Sequence, residues 1–219
     1  GQRDTGTLKL HVADAVGKSQ TYEMQVHASH RIPLASAARP DRCPWCGSSG
    51  SVGDTGQRRE PFQLMRCGAC GTGFVTPLPP ETYLKHYYDN LYWQQRDTAF
   101  SRESEHYDSD HIGRLLRRLN PSAASVTEIG CGPGLLLNGL RKRGFQVRGQ
   151  DFSVEASRVG AEQFGIEIRV GAVSQKAPVP SDCIVMRHSL EHSLDPRGDL
   201  EILRQALPPG GILLIVVPN

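Results

Sequence analysis

Apolar and polar residues alternate strictly along Thr7-Leu-Lys-Leu-His-Val12 and again along Thr21-Tyr-Glu-Met-Gln-Val26. A period of two puts every second side chain on one face, the pattern of a half-buried strand. With the Gly17-containing segment between them, the two stretches predict a β-hairpin within residues 1–38. From about residue 108 the period changes. His111 to Leu119 sets Ile112, Leu115, Leu116 and Leu119 on one helical face, with Asp108 or Ser109 as the cap and Pro121 just past the end. Strand-like runs follow at 125–129, 146–151, 166–170, 183–188 and 211–217, interleaved with helical patterns at 135–143, 155–164 and 197–206. Such alternation predicts an α/β fold, a parallel sheet with right-handed crossovers, which binds ligands at the carboxyl ends of its strands beside the switch point.

The first of these strands carries the most informative stretch, Val126-Thr-Glu-Ile-Gly-Cys-Gly-Pro-Gly134. A chain that leaves a strand, turns tightly and lets a ligand touch its backbone needs positive φ and no Cβ, which glycine supplies at Gly130, Gly132 and Gly134. The helix that follows would aim its N-terminus at the ligand. The spacing is Gly-x-Gly-x-Gly preceded by Glu128, not the Gly-x-Gly-x-x-Gly of a dinucleotide fingerprint. Gln146 to Asp151 forms a second strand ending in a carboxylate suited to a ribose diol, followed by Phe152-Ser153. Further on stand Asp182 to His192 with Asp195-Pro196 behind it, and Leu207 to Asn219 with a helix end, a glycine turn and a strand.

In order and spacing these four segments resemble class I S-adenosylmethionine-dependent methyltransferases, over about residues 110 to 219. The resemblance implies a Rossmann-like core at 108–219. It implies S-adenosylmethionine as cofactor, bound through Glu128, Gly130, Gly132, Gly134, Asp151, Phe152 and His188. It also places Glu191-His192 where the acceptor meets the methyl group. A sulfonium methyl is already activated, so positioning supplies most of the rate, and a base is needed only where the nucleophile carries a proton of high pKa. Imidazole is matched to that task near neutral pH. His192 is therefore the expected general base, with Glu191 orienting it or binding an acceptor hydroxyl; the competing reading has His192 only hydrogen-bonding its loop. Members of the family usually continue through two further strands. The exposed sheet edge is expected to be completed by a missing C-terminal segment, by a partner chain or by the N-terminal hairpin, because an unpaired edge is a liability.

Four of the six cysteines form a separate pattern. Cys43-Pro-Trp-Cys46 and Cys67-Gly-Ala-Cys70 are two Cys-x-x-Cys pairs with 20 residues between them, the spacing of a zinc ribbon over residues 39–80. Two such knuckles place four thiolates around one Zn²⁺ and leave no open coordination position, so the expected metal is structural. Two disulfides are the alternative and would require an oxidising compartment. Residues 81–107 include Tyr83-Leu-Lys-His-Tyr-Tyr-Asp-Asn-Leu-Tyr-Trp93, unusually aromatic for a chain with 6% aromatic residues. Aromatic packing between ribbon and core explains it simply; the sharper reading is a lid over the acceptor with a tyrosine hydroxyl, Tyr87, near the methyl group.

Composition narrows the rest. Hydrophobic content of 38% and charged content of 22% suit a globular protein, and 219 residues suffice for one core plus a small accessory unit. The longest apolar run, Ile212 to Val217, is far too short for a bilayer span, and no signal-peptide pattern is present, so a cytoplasmic location without a membrane partner is expected. A formal charge of +2 and the clusters Arg117-Arg118 and Arg141-Lys-Arg143 fit solvated helix faces better than a nucleic-acid stripe. Ribbon, proline-rich exit, aromatic helix and Leu-Glu-His-x-x-Asp-Pro together resemble methyltransferases that modify sugars and other small hydroxylated metabolites. That implies a small-molecule acceptor, O-methylation ahead of C-methylation. The rivals are an RNA base methyltransferase and a non-catalytic scaffold built on a truncated methyltransferase.

Overall fold

The computed structural model describes residues 5–13, 19–27, 41–59, 61–92 and 98–218, so that Gly17 and Trp93 lie outside the described residues. The two alternating stretches are antiparallel strands, β1 (Thr5–Ala13) and β2 (Ser19–His27), running from Thr5 opposite His27 to Ala13 opposite Ser19. Among the described residues they pair only with each other, so the hairpin adds no strand to the larger sheet and does not cover its edge by hydrogen bonding.

The cysteine region is a three-stranded antiparallel meander of β3 (Val52–Arg59), β4 (Phe62–Cys67) and β5 (Gly73–Thr76). Each Cys-x-x-Cys pair makes the same turn. The Gly47 amide donates to the Cys43 carbonyl at 2.9 Å and the Gly71 amide to the Cys67 carbonyl at 2.8 Å. Both glycines take the left-handed conformation, at φ 74° and 78°. Cys43, Cys67 and Phe74 form the buried centre of this unit.

Helix α1 (Glu81–Tyr87) runs into a π-helical turn, Tyr88–Tyr92, and α2 spans Thr98–Leu119. The apolar stripe predicted at 111–119 is thus only the C-terminal half of a longer helix. Asp108 and Ser109 are not its caps. They lie inside it, Asp108 ion-paired with Arg187 and Ser109 fully buried.

Five strands build the main sheet: β6 (Ser125–Ile129), β7 (Gln146–Asp151), β8 (Ile168–Val170), β9 (Cys183–Arg187) and β10 (Ile212–Val216). Helices α3 (Leu135–Lys142), α4 (Val154–Phe164) and α5 (Pro196–Ala206) alternate with them. All strand pairs are parallel, in the order β10-β9-β6-β7-β8. The first core strand, β6, therefore sits at the centre between β7 and β9, and the direction of winding reverses there, giving a Rossmann-like sheet with its switch point at the end of β6. Helices cover both faces. Leu116, Leu136 and Leu140 pack on Val126 and Val185, whereas Leu203 and Ala206 pack on Ile184 and Met186. Burial on both sides explains why β9 and β10, CIVMR and ILLIV, read as near-continuous apolar runs.

Candidate active site

A cavity of about 330 Å³ opens at the carboxyl ends of β6, β7 and β9. Its floor is the glycine turn. Gly130 takes φ 69° and Gly132 φ 53°, and a Cβ on Gly130 would stand 2.4 Å from the Cβ of Ser189. Ser189 is held there because its hydroxyl donates to the Ile129 carbonyl at 2.9 Å. Gly134, at φ 83°, is the N-cap of α3 and lies behind the lining. At the end of β7, Asp151 accepts from the Gly132 amide on Oδ2 at 2.7 Å and from the Ser153 amide on Oδ1 at 2.8 Å. Burial raises its pKa against the pull of those amides. Each carboxylate oxygen has a second lone pair, so Asp151 can still accept from two ligand hydroxyls. Phe152 lines the cavity beside it.

The end of β9 supplies the ionisable groups. Arg187 lines the cavity and donates to Asp108 at 2.5 Å; its Nε lies 3.7 Å from Glu128 Oε1. Glu128 is 1% exposed and sits beneath the turn, outside the cavity lining. Burial above all pushes its carboxyl up to about 8, with Arg187 opposing. His188 lines the cavity with a left-handed backbone, φ 52°, its amide donating to the Val216 carbonyl at 2.8 Å. Such a conformation is costly for a residue with a Cβ and concentrates at functional sites. His192 also faces the cavity, from a 3₁₀ turn at Leu190–His192. Glu191 is not in the lining, and its Oε1 stands 3.9 Å from His188 Nδ1.

The tyrosine-rich segment forms the opposite wall. Tyr88 and Tyr92 line the cavity; Tyr87 lies outside the lining, 36% exposed, its ring 5.3 Å from that of Tyr88 and 6.0 Å from that of Tyr92. Burial first, then Tyr92, Tyr87 and the carboxylates of Asp151 and Glu191, push the Tyr88 phenol up to about 12, so it stays a hydrogen-bond donor. Two side chains that sequence patterns do not single out tie this segment to the core. Glu81 accepts from Gln175, and Asp89 accepts from Ser153 and the first amides of α4. Only contacts between residues far apart in the chain reveal them.

The four cysteines converge. Their Sγ atoms lie within 4.8 Å of one another, with 3.6 Å between Cys43 and Cys70 and 3.7 Å between Cys46 and Cys67. Disulfide sulfurs would be about 2.05 Å apart. Sulfurs at the corners of a tetrahedron around zinc, with Zn–S of about 2.3 Å, would be about 3.8 Å apart, and the cluster fits that spacing.

Among the described residues no helix is long and apolar enough to cross a membrane. The sequence profile of the family described as "Methyltransferase domain" matches residues 93–219. A ubiquinone biosynthesis O-methyltransferase of Xylella fastidiosa is 31% identical over 113 residues, covering 48% of this chain and 46% of that protein. One from Idiomarina loihiensis is 32% identical over 137 residues, covering 53% and 56%. The chain thus spans about half the length of the curated relatives it matches. Among solved structures, S-adenosylmethionine-bound CalS10, an amino pentose methyltransferase of Micromonospora echinaspora involved in calicheamicin biosynthesis, superposes with a TM-score of 0.52 at 21% identity, covering 60% of this chain and 59% of that one. At that identity the likeness speaks to the fold.

Proposed function

Because the chain belongs to the methyltransferase-domain family, we propose that it moves the methyl group of S-adenosylmethionine onto a small hydroxylated acceptor, a sugar or a similar metabolite, with O-methylation ahead of C-methylation. The observation that carries this reading is the joint placement of the glycine turn and the Asp151 carboxylate on one cavity with His188 and His192 at its rim. The cofactor supplies an activated sulfonium methyl; the chain holds, orients and takes a proton. Asp151 would receive the ribose hydroxyls on its remaining lone pairs, and Gly130 and Gly132 would let the ligand lie against the backbone. Phe152 offers a flat apolar surface for the base. His192, which lines the cavity, would accept the acceptor hydroxyl's proton on a ring nitrogen as that oxygen takes the methyl group. Glu191 steadies the neighbouring imidazole of His188, and the Tyr88 hydroxyl donates into the cavity.

Zinc is the proposed occupant of the cysteine cluster. With four protein ligands it is structural, and a reducing compartment, the cytoplasm, keeps the thiols available as ligands. The test is a calorimetric titration of the zinc-loaded protein with S-adenosylmethionine and S-adenosylhomocysteine. Binding that is lost in Asp151→Ala supports the reading; a folded, zinc-loaded chain that binds neither overturns it. Labelled cofactor with sugars and RNA as acceptors then separates the substrate classes, and His192→Ala should lower turnover while leaving cofactor affinity almost unchanged.

A further inference from the structure

We infer that Asp89 is a positioning residue for the cofactor site: it docks the tyrosine-bearing segment onto the start of α4, so that Tyr88 and Tyr92 become part of the binding wall. The inference rests on the methyl-transfer reading above and names a residue outside the family-like motifs.

Asp89 sits in the π-helical turn, between the two tyrosines that line the cavity. Its Oδ1 accepts from the Ser153 hydroxyl at 2.8 Å, the Val154 amide at 2.8 Å and the Glu155 amide at 3.4 Å. The two amides are among the donors that a helix N-terminus leaves without intrahelical partners. Ser153 is already the N-cap of α4, its hydroxyl oxygen accepting from the Ala156 amide at 3.1 Å. Asp89 therefore completes from outside a cap that the helix only half makes for itself. Its second oxygen is held by Lys85 Nζ at 3.0 Å. Although burial works against it, the donors around Asp89 hold its carboxyl below the usual carboxylate range, so it is ionised where a helix N-terminus favours an anion.

The contact continues into the cofactor floor. The Ser153 amide donates to Asp151 Oδ1, and the Gly132 amide donates to Asp151 Oδ2. A continuous line of polar contacts thus runs from Lys85 through Asp89, Ser153 and Asp151 to the glycine turn. At the other end of the segment Glu81 accepts from Gln175, whose Oε1 accepts from the Ala172 amide at 3.3 Å in the loop after β8. The segment is pinned at both ends across the cavity mouth. The π turn itself is a departure from regular helix of the kind that recurs at functional sites, and here it carries Tyr88, Asp89 and Tyr92 together.

When a binding wall must be docked before it can contact ligand, apparent affinity scales with the docked fraction. Asp89→Ala should therefore weaken binding of S-adenosylmethionine and S-adenosylhomocysteine about tenfold, the consequence of losing one helix-cap interaction. Asp89→Asn keeps an acceptor oxygen and should stay within about threefold of wild type. The experiment is calorimetry of wild type and both variants with S-adenosylhomocysteine, together with amide hydrogen exchange with and without it. In wild type the ligand should slow exchange across residues 81–92, and in Asp89→Ala that protection should disappear. A role in stability alone would not produce a ligand-dependent change in that segment. Asp89→Ala affinity within about twofold of wild type, or no ligand protection of residues 81–92 in wild type, overturns the inference. The second measurement needs no variant and decides the matter if Asp89→Ala does not fold. A wild type that binds neither compound sinks the methyl-transfer reading instead. The docking is then read without ligand, where Asp89→Ala must speed exchange at the Val154 and Glu155 amides, and unchanged exchange there overturns it.

Discussion

Replacing Gly130 by alanine tests the geometry of the cavity floor with a single methyl group. Two effects add. Gly130 has φ 69°, and a left-handed conformation costs a residue with a Cβ about 1–2 kcal/mol. The new methyl would also stand 2.4 Å from Ser189 Cβ and 3.1 Å from its Oγ, an overlap that forces backbone or rotamer shifts costing about 1–3 kcal/mol. The expected loss of stability is therefore about 2–5 kcal/mol. Gly144 separates the two contributions, since it has φ 83° but no atom within 4 Å of a built Cβ. Gly144→Ala should cost only the conformational share, about 1–2 kcal/mol. Removing the Ser189 side chain should in turn relieve the overlap, because the nearest remaining atom of that residue, its Cα, lies at 3.7 Å, an ordinary contact. Ser189→Gly alone forfeits the hydrogen bond to Ile129, about 1 kcal/mol. In the double variant Gly130→Ala/Ser189→Gly the two losses should fall short of their sum by about 1–3 kcal/mol. Urea unfolding of the four variants supplies the energies, and calorimetry with S-adenosylhomocysteine reports whether the floor still accepts ligand. Gly130→Ala unfolding at the same midpoint as Gly144→Ala, or strict additivity in the double variant, would refute the close approach of the two loops.

Two further outcomes follow from groups away from the cavity. Elemental analysis of protein made in zinc-supplemented medium should find one zinc per chain; Cys67→Ser, at the fully buried Cys67 of the cluster, should lose the metal and unfold the ribbon. Full zinc occupancy in Cys67→Ser would remove that residue from the site. Glu128 should make stability fall as pH rises: burial lifts its folded-state value from an ordinary 4.5 to about 8, so across that window the native state keeps a proton that the unfolded chain gives up. Glu128→Gln should flatten that slope and gain most over wild type above pH of about 8, as read from urea midpoints. Parallel pH profiles of the two proteins would show that Glu128 titrates at its ordinary value.

Elements whose burial is written in their own residues were legible in the sequence. The strand limits 125–129 and 146–151 coincide with β6 and β7, because each strand ends where a turn begins, at Gly130 and after Asp151. The strand predicted at 166–170 shortens to 168–170, since Ile166 is buried as the chain approaches the sheet, not as part of the ladder. Helix α2 was seen only where its apolar stripe lies, and its polar first half carries no period to detect. Within the candidate site Gly130 and Gly132 were legible because their turn needs positive φ, and Asp151 because it is the carboxylate that ends the strand beside that turn. Arg187, Asp89 and Glu81 were not, since what matters about each is a partner more than 60 positions away. The same applies to the tyrosines: a π turn shifts the register, so Tyr88 and Tyr92 line the cavity whereas Tyr87 does not.

The polar ties across the cavity also set an order of assembly on a chain made from its N-terminus. The cysteine cluster closes within 27 residues, between Cys43 and Cys70, so all four thiols are present early in synthesis. The wall at residues 81–92 is made next, but its anchors come much later, Ser153 after 64 positions and Gln175 after 94. Closing loops of that length is the slow part of folding a sheet of this topology. Until those anchors emerge, the tyrosines that will line the cavity have no floor to face, whereas the four cysteines can already come together.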